Sequence, residues 1–484
     1  MHFIFRFLNP QSLRARRLSE SEAEFPAWPA PVPTEGGAGR RIPKLKSLII
    51  LILLMLCVGL PEGGLQAMPP VQRTVLPNGL TLLVCEERSL PFVTFQLLIN
   101  SGSWKDPQGE EGLSYLTARG LLLGTSKRKV TTIHEELDFM GASLSSSSGR
   151  DYATLHFQVL KKDLEKGWDL FMEVLTQPTF PEEEIKREVE KTLAAIQAAE
   201  DQPDEVAEKE FQKTLFLSSP YGHPVEGTKE SLPRITQEAI VRFYRSYYQP
   251  NNAILTIVGD ISAEEVKTKL HPSLSKWPMA EIPKILFKTS FAKESKTVKI
   301  DRGITQANII IGHAGVSRDN PDYYALTVMN YILGGGGFSS RLVEEIRNKR
   351  GLAYSVGSFF DTGKYPGSFQ IALQTKNSSA REAIALSLQG MERIRKELVS
   401  EKELEGAKKY LIGSFPMRLN TQGKLTSFLT QVEYYGLGLD YPEKYPSLIR
   451  SITREELLRV AKKYLHPKNI ILVVVANLKE AGVE

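Results

Sequence analysis

The sequence predicts an α+β protein made of two homologous domains, each with a mainly antiparallel or mixed sheet and helices packed on one face. Three observations favour this fold class. Strands with alternating polar and apolar residues precede amphipathic helices in both halves of the chain. The segment ITQEAIVRFYRSYYQPNN, from Ile235, returns 217 positions later as ITREELLRVAKKYLHPKN, from Ile452. Alternation leaves one sheet face polar, which is typical of antiparallel or mixed sheets.

Each copy of the repeated segment predicts a helix followed by a strand. Thr236 and Thr453 stand at N-cap positions, with an acidic residue in the first turn of each helix. A proline then ends each helix, and apolar runs at 253–258 and 470–475 follow as strands. The two copies therefore close two similar domains.

The pattern divides the chain into four parts. Residues 1–67 form an N-terminal tail with a signal or anchor segment, and residues 68–276 form the first domain. Pro278 and Pro283 interrupt the periodic pattern, so that 277–295 is predicted as a linker before the second domain at 296–484.

An apolar run of thirteen residues, LIILILLMLCVGL from Leu48 to Leu60, follows a basic stretch that includes Arg40 and Lys46. This length suits the core of a signal peptide better than a membrane span. We therefore expect an exported protein of the periplasm or cell envelope. An uncleaved N-terminal inner-membrane anchor is the alternative.

Composition excludes several classes of protein. The 484 residues are 42% hydrophobic and 24% charged, which is typical of a globular chain. The net charge of +5 is spread over both signs, and this disfavours nucleic acid as a partner. The two cysteines, Cys57 and Cys85, provide neither a structural disulfide nor a cysteine zinc site. Cys85 is interpreted as a small buried hydrophobe.

Local motifs outside the repeats give weak signals. His134 and Asp138 are spaced i,i+4 and could touch a metal, although a solvated helix face is the favoured interpretation. The glycine run Gly334, Gly335, Gly336 and Gly337 is not followed by Lys-Ser/Thr, which argues against a phosphate loop. It is interpreted as a helix C-cap.

An ordered series of segments between residues 72 and 480 resembles the pitrilysin/insulinase metallopeptidases, in particular their processing-peptidase branch. The segments are LPNGLTLLV, GASLSSSSGRDY, EDQP, YGHPVEGTKESL, YYQPNNAILTIVGDIS, GGGGFSSRL and RNKRGLAYSV. The resemblance implies that the two domains form half of a clam-shell chamber. It also identifies His223 as a loop residue.

The resemblance implies a zinc site whose positions are empty in this chain. The family uses H-x-x-E-H on a helix, with a further glutamate ligand on a later helix. In the register set by Gly112-Leu113, the two histidines fall on Ser114 and Ala118, and the catalytic glutamate falls on Thr117. The later ligand falls on Ala195. We therefore expect no metal or other cofactor in this chain.

One functional pair implied by the resemblance is retained. Arg347 and Tyr354 have the spacing of the arginine and tyrosine that the family directs at the zinc site, and such side chains can donate hydrogen bonds to a developing oxyanion. The four glycines at 334–337 correspond to a loop that touches substrate in noncatalytic relatives. A surface arginine and a half-buried strand tyrosine are the alternative interpretation.

The leading hypothesis is a zinc-less, noncatalytic subunit of an envelope peptidase, inactive alone and paired with a zinc-bearing homologue. Its substrate would be a peptide or unfolded protein. Two alternatives remain: a stand-alone peptide-binding or scaffold pseudopeptidase, and a zinc metallopeptidase with a displaced ligand set.

Overall fold

The computed structural model describes residues 68–483. The predicted tail and signal segment at 1–67 lie outside the described residues. Within 68–483, no helix has both the length and the apolar character needed to cross a bilayer.

The first half of the described chain forms a mixed six-stranded sheet in the order β1-β2-β6-β3-β5-β4. Only β2 and β6 run parallel among its neighbouring pairs. The strands are β1 Val71–Val75, β2 Thr81–Glu86, β3 Phe92–Ile99, β4 Ser143–Ser148, β5 Ala153–Leu160 and β6 Ala253–Gly259.

Helices cover one face of this sheet because their apolar residues recur with helical spacing. The aromatic centre of the contact is a group of four rings whose neighbouring centroids lie 5.3–5.9 Å apart: Phe95, Phe157, Trp168 and Phe171. The main helices of this half are α1 Leu113–Gly120, α2 Val130–Met140, α3 Leu164–Thr176, α4 Glu182–Glu200, α5 Pro203–Phe216 and α6 Gln237–Tyr247, and short turns follow at Ala263–Glu265, Val266–Leu270 and His271–Leu274.

The second half repeats this plan with a five-stranded sheet in the order β7-β11-β8-β10-β9. Its strands are β7 Lys296–Asp301, β8 Gln306–Ala314, β9 Ala353–Asp361, β10 Ser368–Lys376 and β11 Ile471–Ala476. Its main helices are α7 Tyr323–Asn330, α8 Ala380–Lys396, α9 Glu401–Gly413, α10 Gln422–Tyr434, α11 Tyr441–Arg450 and α12 Arg454–Tyr464, with wider π-helical turns at Tyr331–Gly335 and Val343–Asn348 and a last turn at Leu478–Ala481.

The predicted α+β class and duplication are confirmed. Helices α6 and α12 are related by the same offset of 217 positions, and each begins at the predicted threonine cap. Thr236 Oγ1 accepts a hydrogen bond from the Ala239 N–H at 3.2 Å, and Thr453 Oγ1 accepts from the Glu456 N–H at 3.1 Å. Each helix leads to the strand that pairs in parallel with the domain's early strand.

The two halves exchange a helix. Helix α5 of the first half lies on the second sheet, where Phe211 and Leu215 join a buried cluster with Val473. Helix α10 of the second half lies on the first sheet, where Leu425 and Leu429 pack with Cys85. The face of each sheet that the sequence predicts to be polar is thus partly covered by the other half.

Cys85 lies in this contact and is fully buried, as the sequence predicts. Burial raises the pKa of its thiol to about 12, which keeps the group protonated and unreactive at neutral pH. Residues 278–293 form neither helix nor strand, and Phe287 from this stretch stacks on Tyr365 with ring centroids 3.9 Å apart.

Candidate functional site

Helix α1 carries three of the four zinc-motif positions, and all three are buried. Ser114, Thr117 and Ala118 each have no measurable exposure. The Thr117 hydroxyl donates to the Leu113 carbonyl one turn earlier at 2.7 Å, and the Ser114 hydroxyl accepts from Ser148 Oγ on β4 at 3.2 Å. These polar atoms therefore serve the helix and its contact with the sheet.

The start of α1 is fixed by a half-buried aspartate that the sequence motifs do not reveal. Asp106 accepts hydrogen bonds from the backbone N–H groups of Gly112 and Ser114, both at 2.8 Å. Gly112 has φ = 98°, a left-handed conformation that glycine adopts without strain. Burial raises the pKa of Asp106 to about 8, against the opposing effect of those hydrogen bonds. Asp106 lies seven residues before Leu113, well before the N-cap position at Gly112, so that a local capping pattern does not reveal its contact.

The fourth position, Ala195, lies exposed on α4 and offers only a methyl group. An ion pair joins the two helices instead: Arg119 Nε lies 2.6 Å from Glu188 Oε1, with the Glu188 side chain only 8% exposed. Alanine has no donor atom for a metal, and a neutral hydroxyl is a poor zinc ligand. Among residues 68–483, no three His, Cys, Asp or Glu side chains converge as a metal site.

The retained pair lies in the second half. Tyr354 is the extra residue of a β-bulge in β9, since Ser355 pairs with Gln374 and Ala353 with the next residue, Thr375. A bulge re-aims the side chain that it leaves unpaired, and Tyr354 is 62% exposed. The Arg347 guanidinium lies over its ring, with Cζ 5.8 Å from the ring centroid.

Arg347 differs from the basic residues around it. Arg341 is paired with Glu403, Lys349 with Glu344 and Glu345, and Arg350 with Glu345 and Glu382. Within the described part of the chain, the Arg347 guanidinium has only ring contacts, to Tyr354 and to Phe338 at 4.8 Å. Its N–H donors therefore remain free to bind another group.

The glycine run is shaped by close packing. A Cβ at Gly334 would lie 2.5 Å from Ser358 Oγ, and one at Gly335 would lie 2.6 Å from Asn330 Nδ2. A Cβ at Gly336 would lie 2.7 Å from the Tyr331 carbonyl, whereas Gly337 has open space and φ = 56°. Gly334 is buried, so only the last three glycines lie at the surface.

Strand β4 ends its sheet and leaves one edge without a partner among the described residues. Its sequence SLSSSS presents small polar side chains, and Ser143, Ser145 and Ser147 are exposed. Ser148 at its end touches α1 through Ser114. An extended peptide could add to such an edge through backbone hydrogen bonds.

The three other candidate residues, His134, Asp138 and His223, do not contact the zinc-motif positions or the pair Arg347 and Tyr354 among the described residues. His134 and Asp138 are exposed on α2, as expected of a solvated helix face. His223 lies in a loop, with Nδ1 3.0 Å from the Pro224 carbonyl. Within residues 68–483, no hydrogen bond, ion pair or ring contact connects the α1 positions to Arg347 or Tyr354.

A polar junction that the sequence motifs do not predict joins the two halves. Arg150, which follows β4, forms an ion pair with Asp361 of β9 at 2.5 Å. The adjacent Asp151 accepts hydrogen bonds from the Tyr221 hydroxyl and, at 2.8 Å, from the Lys364 backbone N–H. Burial raises the pKa of Asp151. The adjacent Arg-Asp in GRDY is the only signal that the sequence offers for this junction.

Comparison with known proteins supports the resemblance over both halves. Residues 82–229 match the model for insulinase (peptidase family M16), and residues 234–411 match the model for the peptidase M16 inactive domain. A crystal structure of a peptidase M16 inactive domain from Pseudomonas fluorescens superposes with a TM-score of 0.79 at 28% identity, covering 84% of this chain and 98% of that one. A protease from Helicobacter pylori, at 20% identity and a TM-score of 0.77, shares the fold.

Three sequence relatives carry three different kinds of name: a zinc protease, a non-peptidase homolog and a processing-peptidase subunit. An uncharacterized zinc protease of Streptomyces coelicolor is 27% identical, covering 84% of this chain and 89% of that protein. The non-peptidase homolog YmxG of Helicobacter pylori is 25% identical, covering 90% and 100%. A probable mitochondrial-processing peptidase subunit beta of Arabidopsis thaliana is 24% identical, covering 85% and 79%. The chain therefore belongs to the insulinase (M16) family of metallopeptidases, in its processing-peptidase-like branch, with a degenerate zinc site.

Proposed function

We propose that this chain is the zinc-less subunit of a peptidase and contributes substrate and transition-state contacts to a zinc-bearing homologue. The observation that carries the proposal is the set of contacts that the Arg347 guanidinium makes. Among residues 68–483, Arg347 alone of its basic neighbours lacks a carboxylate partner, and it lies over a tyrosine that a β-bulge turns outward. An unpaired guanidinium and a phenol are donors that suit a peptide carbonyl or a developing oxyanion.

The four metal-site positions on α1 and α4 carry no metal ligand and no general base, which supports a role outside metal catalysis. Without a ligand set or a general base, the chain supplies one side of a reaction whose other components must come from elsewhere. The names of two relatives fit this division: one is a non-peptidase homolog, and another is a subunit of a processing peptidase.

The proposed substrate is an unfolded or extended peptide. Strand β4 presents an edge next to α1 that no other described strand pairs with, and its exposed serines leave room for side chains of many kinds. Backbone hydrogen bonds to an edge strand favour extended segments over folded ones. The zinc would reside in the partner.

The proposed location is the cell envelope. Its support is the apolar run at 48–60 and the basic flank before it, which together have the composition of an export signal. The partner would then be exported as well.

The proposal is tested in the complex that the native chain forms in its own cells. Arg347→Ala and Tyr354→Phe should each lower peptide turnover about 100- to 1,000-fold, the usual effect of removing one oxyanion donor, while assembly and zinc content stay unchanged. Arg350→Ala is the matched control, because Arg350 is already paired with two glutamates. Turnover of a fluorogenic unfolded substrate is the measurement.

Wild-type kinetics in both variants would contradict the proposal. Recovery of the chain without any zinc-bearing homologue would also contradict it and would favour a stand-alone peptide-binding scaffold.

A further inference from the structure

The glycine run is followed by an exposed aromatic residue, Phe338, which is not part of the pair Arg347 and Tyr354. Phe338 is 70% exposed, although a phenyl ring gains stability from burial. It follows Gly337, which has a left-handed backbone with φ = 56° and open space around it. The ring lies beside Arg347, with the guanidinium carbon 4.8 Å from its centroid.

The turn that holds Phe338 is fixed by two serine hydroxyls. Ser339 Oγ donates to the Gly336 carbonyl at 2.8 Å, and Ser340 Oγ donates to the Gly337 carbonyl at 2.7 Å. Tyr331 OH lies 3.4 Å from Ser339 Oγ and ties the turn back to the preceding helix. The ring is therefore exposed on a turn with defined backbone contacts.

The guanidinium of Arg347 has contacts with two aromatic rings, and Phe338 provides the shorter one. Its centroid distance of 4.8 Å compares with 5.8 Å for Tyr354. A cation within about 6 Å of a ring face is attracted to it, and a flat guanidinium can stack there without losing its in-plane N–H donors. A long arginine side chain without such contacts would sample many rotamers.

We propose that Phe338 is a positioning residue, which holds the Arg347 guanidinium in the orientation that meets the peptide. This inference rests on the proposed function. Phe338 acts through Arg347, so that its removal should matter only when Arg347 is present. Because the ring is exposed, its replacement should leave the fold intact.

The test is a double-mutant cycle in the assembled complex, with fluorescein-labelled β-casein as the unfolded probe. Phe338→Leu should lower kcat/KM about 2- to 5-fold, the range expected for loss of an exposed cation–π contact. Phe338→Tyr should restore wild-type kinetics, because the ring face returns. In the Arg347→Ala background, Phe338→Leu should cause no further loss. Phe139→Leu, which alters a phenylalanine 84% exposed on α2, is the matched control.

Two outcomes would overturn the inference alone: an unchanged kcat/KM in Phe338→Leu beside a clear loss in Arg347→Ala, or an equal loss from Phe338→Leu in both backgrounds. No loss in Arg347→Ala would overturn the proposed function together with the inference. Thermal unfolding of each variant verifies that the fold is retained.

Discussion

The hydroxyl groups at the zinc-motif positions of helix α1 already form hydrogen bonds within the protein. The Thr117 hydroxyl bonds to its own helix, and Ser114 contacts β4 through Ser148. Ala118 is fully buried. The side chains at the three former ligand and base positions on α1 therefore pack within the protein and do not face a metal site.

The purified chain should therefore bind no stoichiometric zinc and should not cleave unfolded peptides by itself. Ser114, Thr117, Ala118 and Ala195 supply neither ligands nor a general base. Metal analysis after dialysis, together with a casein cleavage assay, measures both. One tightly bound zinc with chelator-sensitive proteolysis would falsify this expectation. Restoring the four family residues should not by itself restore activity, because zinc ligands also need oriented hydrogen-bond partners.

His313 gives the second half a dependence on pH. It is 4% exposed; its Nδ1 lies 2.8 Å from the Ala314 carbonyl, and Nε2 accepts from the His466 backbone N–H at 3.2 Å. These partners fit the neutral ring, in which Nδ1–H donates. Burial lowers the pKa of His313 to about 4, and the neighbouring His466 adds to the shift.

Stability should fall as pH drops from about 6.5 toward 4, because the unfolded chain takes up a proton on this histidine before the folded chain does. Between pH 7 and pH 5 the contribution is about 2 kcal/mol of unfolding free energy. His313→Gln should remove that part of the pH dependence in urea unfolding, and the exposed control His134→Gln should not. Equal pH profiles for wild type and His313→Gln would refute the assignment.

At the scale of elements, the exchanged helix α10 stabilises a sheet to which it is not adjacent in sequence. Leu429 is fully buried against the first sheet, and the hydroxyls of Thr430 and Thr256 lie 2.8 Å apart in the same contact. The contact is mainly apolar and includes Leu83 and Val258.

Leu429→Ala should lower the free energy of unfolding by about 2–5 kcal/mol, through lost burial and a residual cavity. Leu286→Ala is the control, since Leu286 is 84% exposed and should change stability by less than about 0.5 kcal/mol. Urea unfolding measures both variants. A cost at Leu429 as small as at Leu286 would show that α10 does not hold the sheet.

Sequence patterns predicted the elements better than their partners. The amphipathic pattern of the sequence predicts helices near 163–177 and 379–398, and the structure has them at Leu164–Thr176 and Ala380–Lys396, because a 3.6-residue period defines a helix locally. The same period shows that α10 has an apolar face but does not specify which sheet meets it. The bulge at Tyr354 and the contact of Phe338 with Arg347 likewise depend on strand register and on distant packing, which a local pattern does not contain.

At the scale of the whole molecule, the exchange makes the two halves depend on each other. Each sheet needs a helix from the other half, and the ion pair between Arg150 and Asp361 adds a polar contact at the junction. A broken pair at this place would leave a charge with little access to water.

The full chain should unfold in one transition. Three of the four tryptophans, Trp104, Trp168 and Trp277, are buried in the first half. The change in their fluorescence reports on that half and the junction, whereas far-UV circular dichroism reports on both halves. Urea midpoints from the two probes should coincide. A fluorescence transition that is separate from the circular dichroism transition would mean that the halves are independent.

The helix exchange also bears on how such a chain could arise. One repeat alone would leave one sheet face bare and one helix without a sheet to cover, whereas each of the two repeats covers part of the other's sheet. Two separate copies of one repeat could make the same reciprocal contacts as a symmetric dimer, and in this chain the two repeats are covalently joined. In one covalent chain the two repeats need not share every residue, so that each can carry its own side chains at equivalent places. The helix at the zinc-motif positions belongs to one repeat, and the strand that bears Tyr354 belongs to the other.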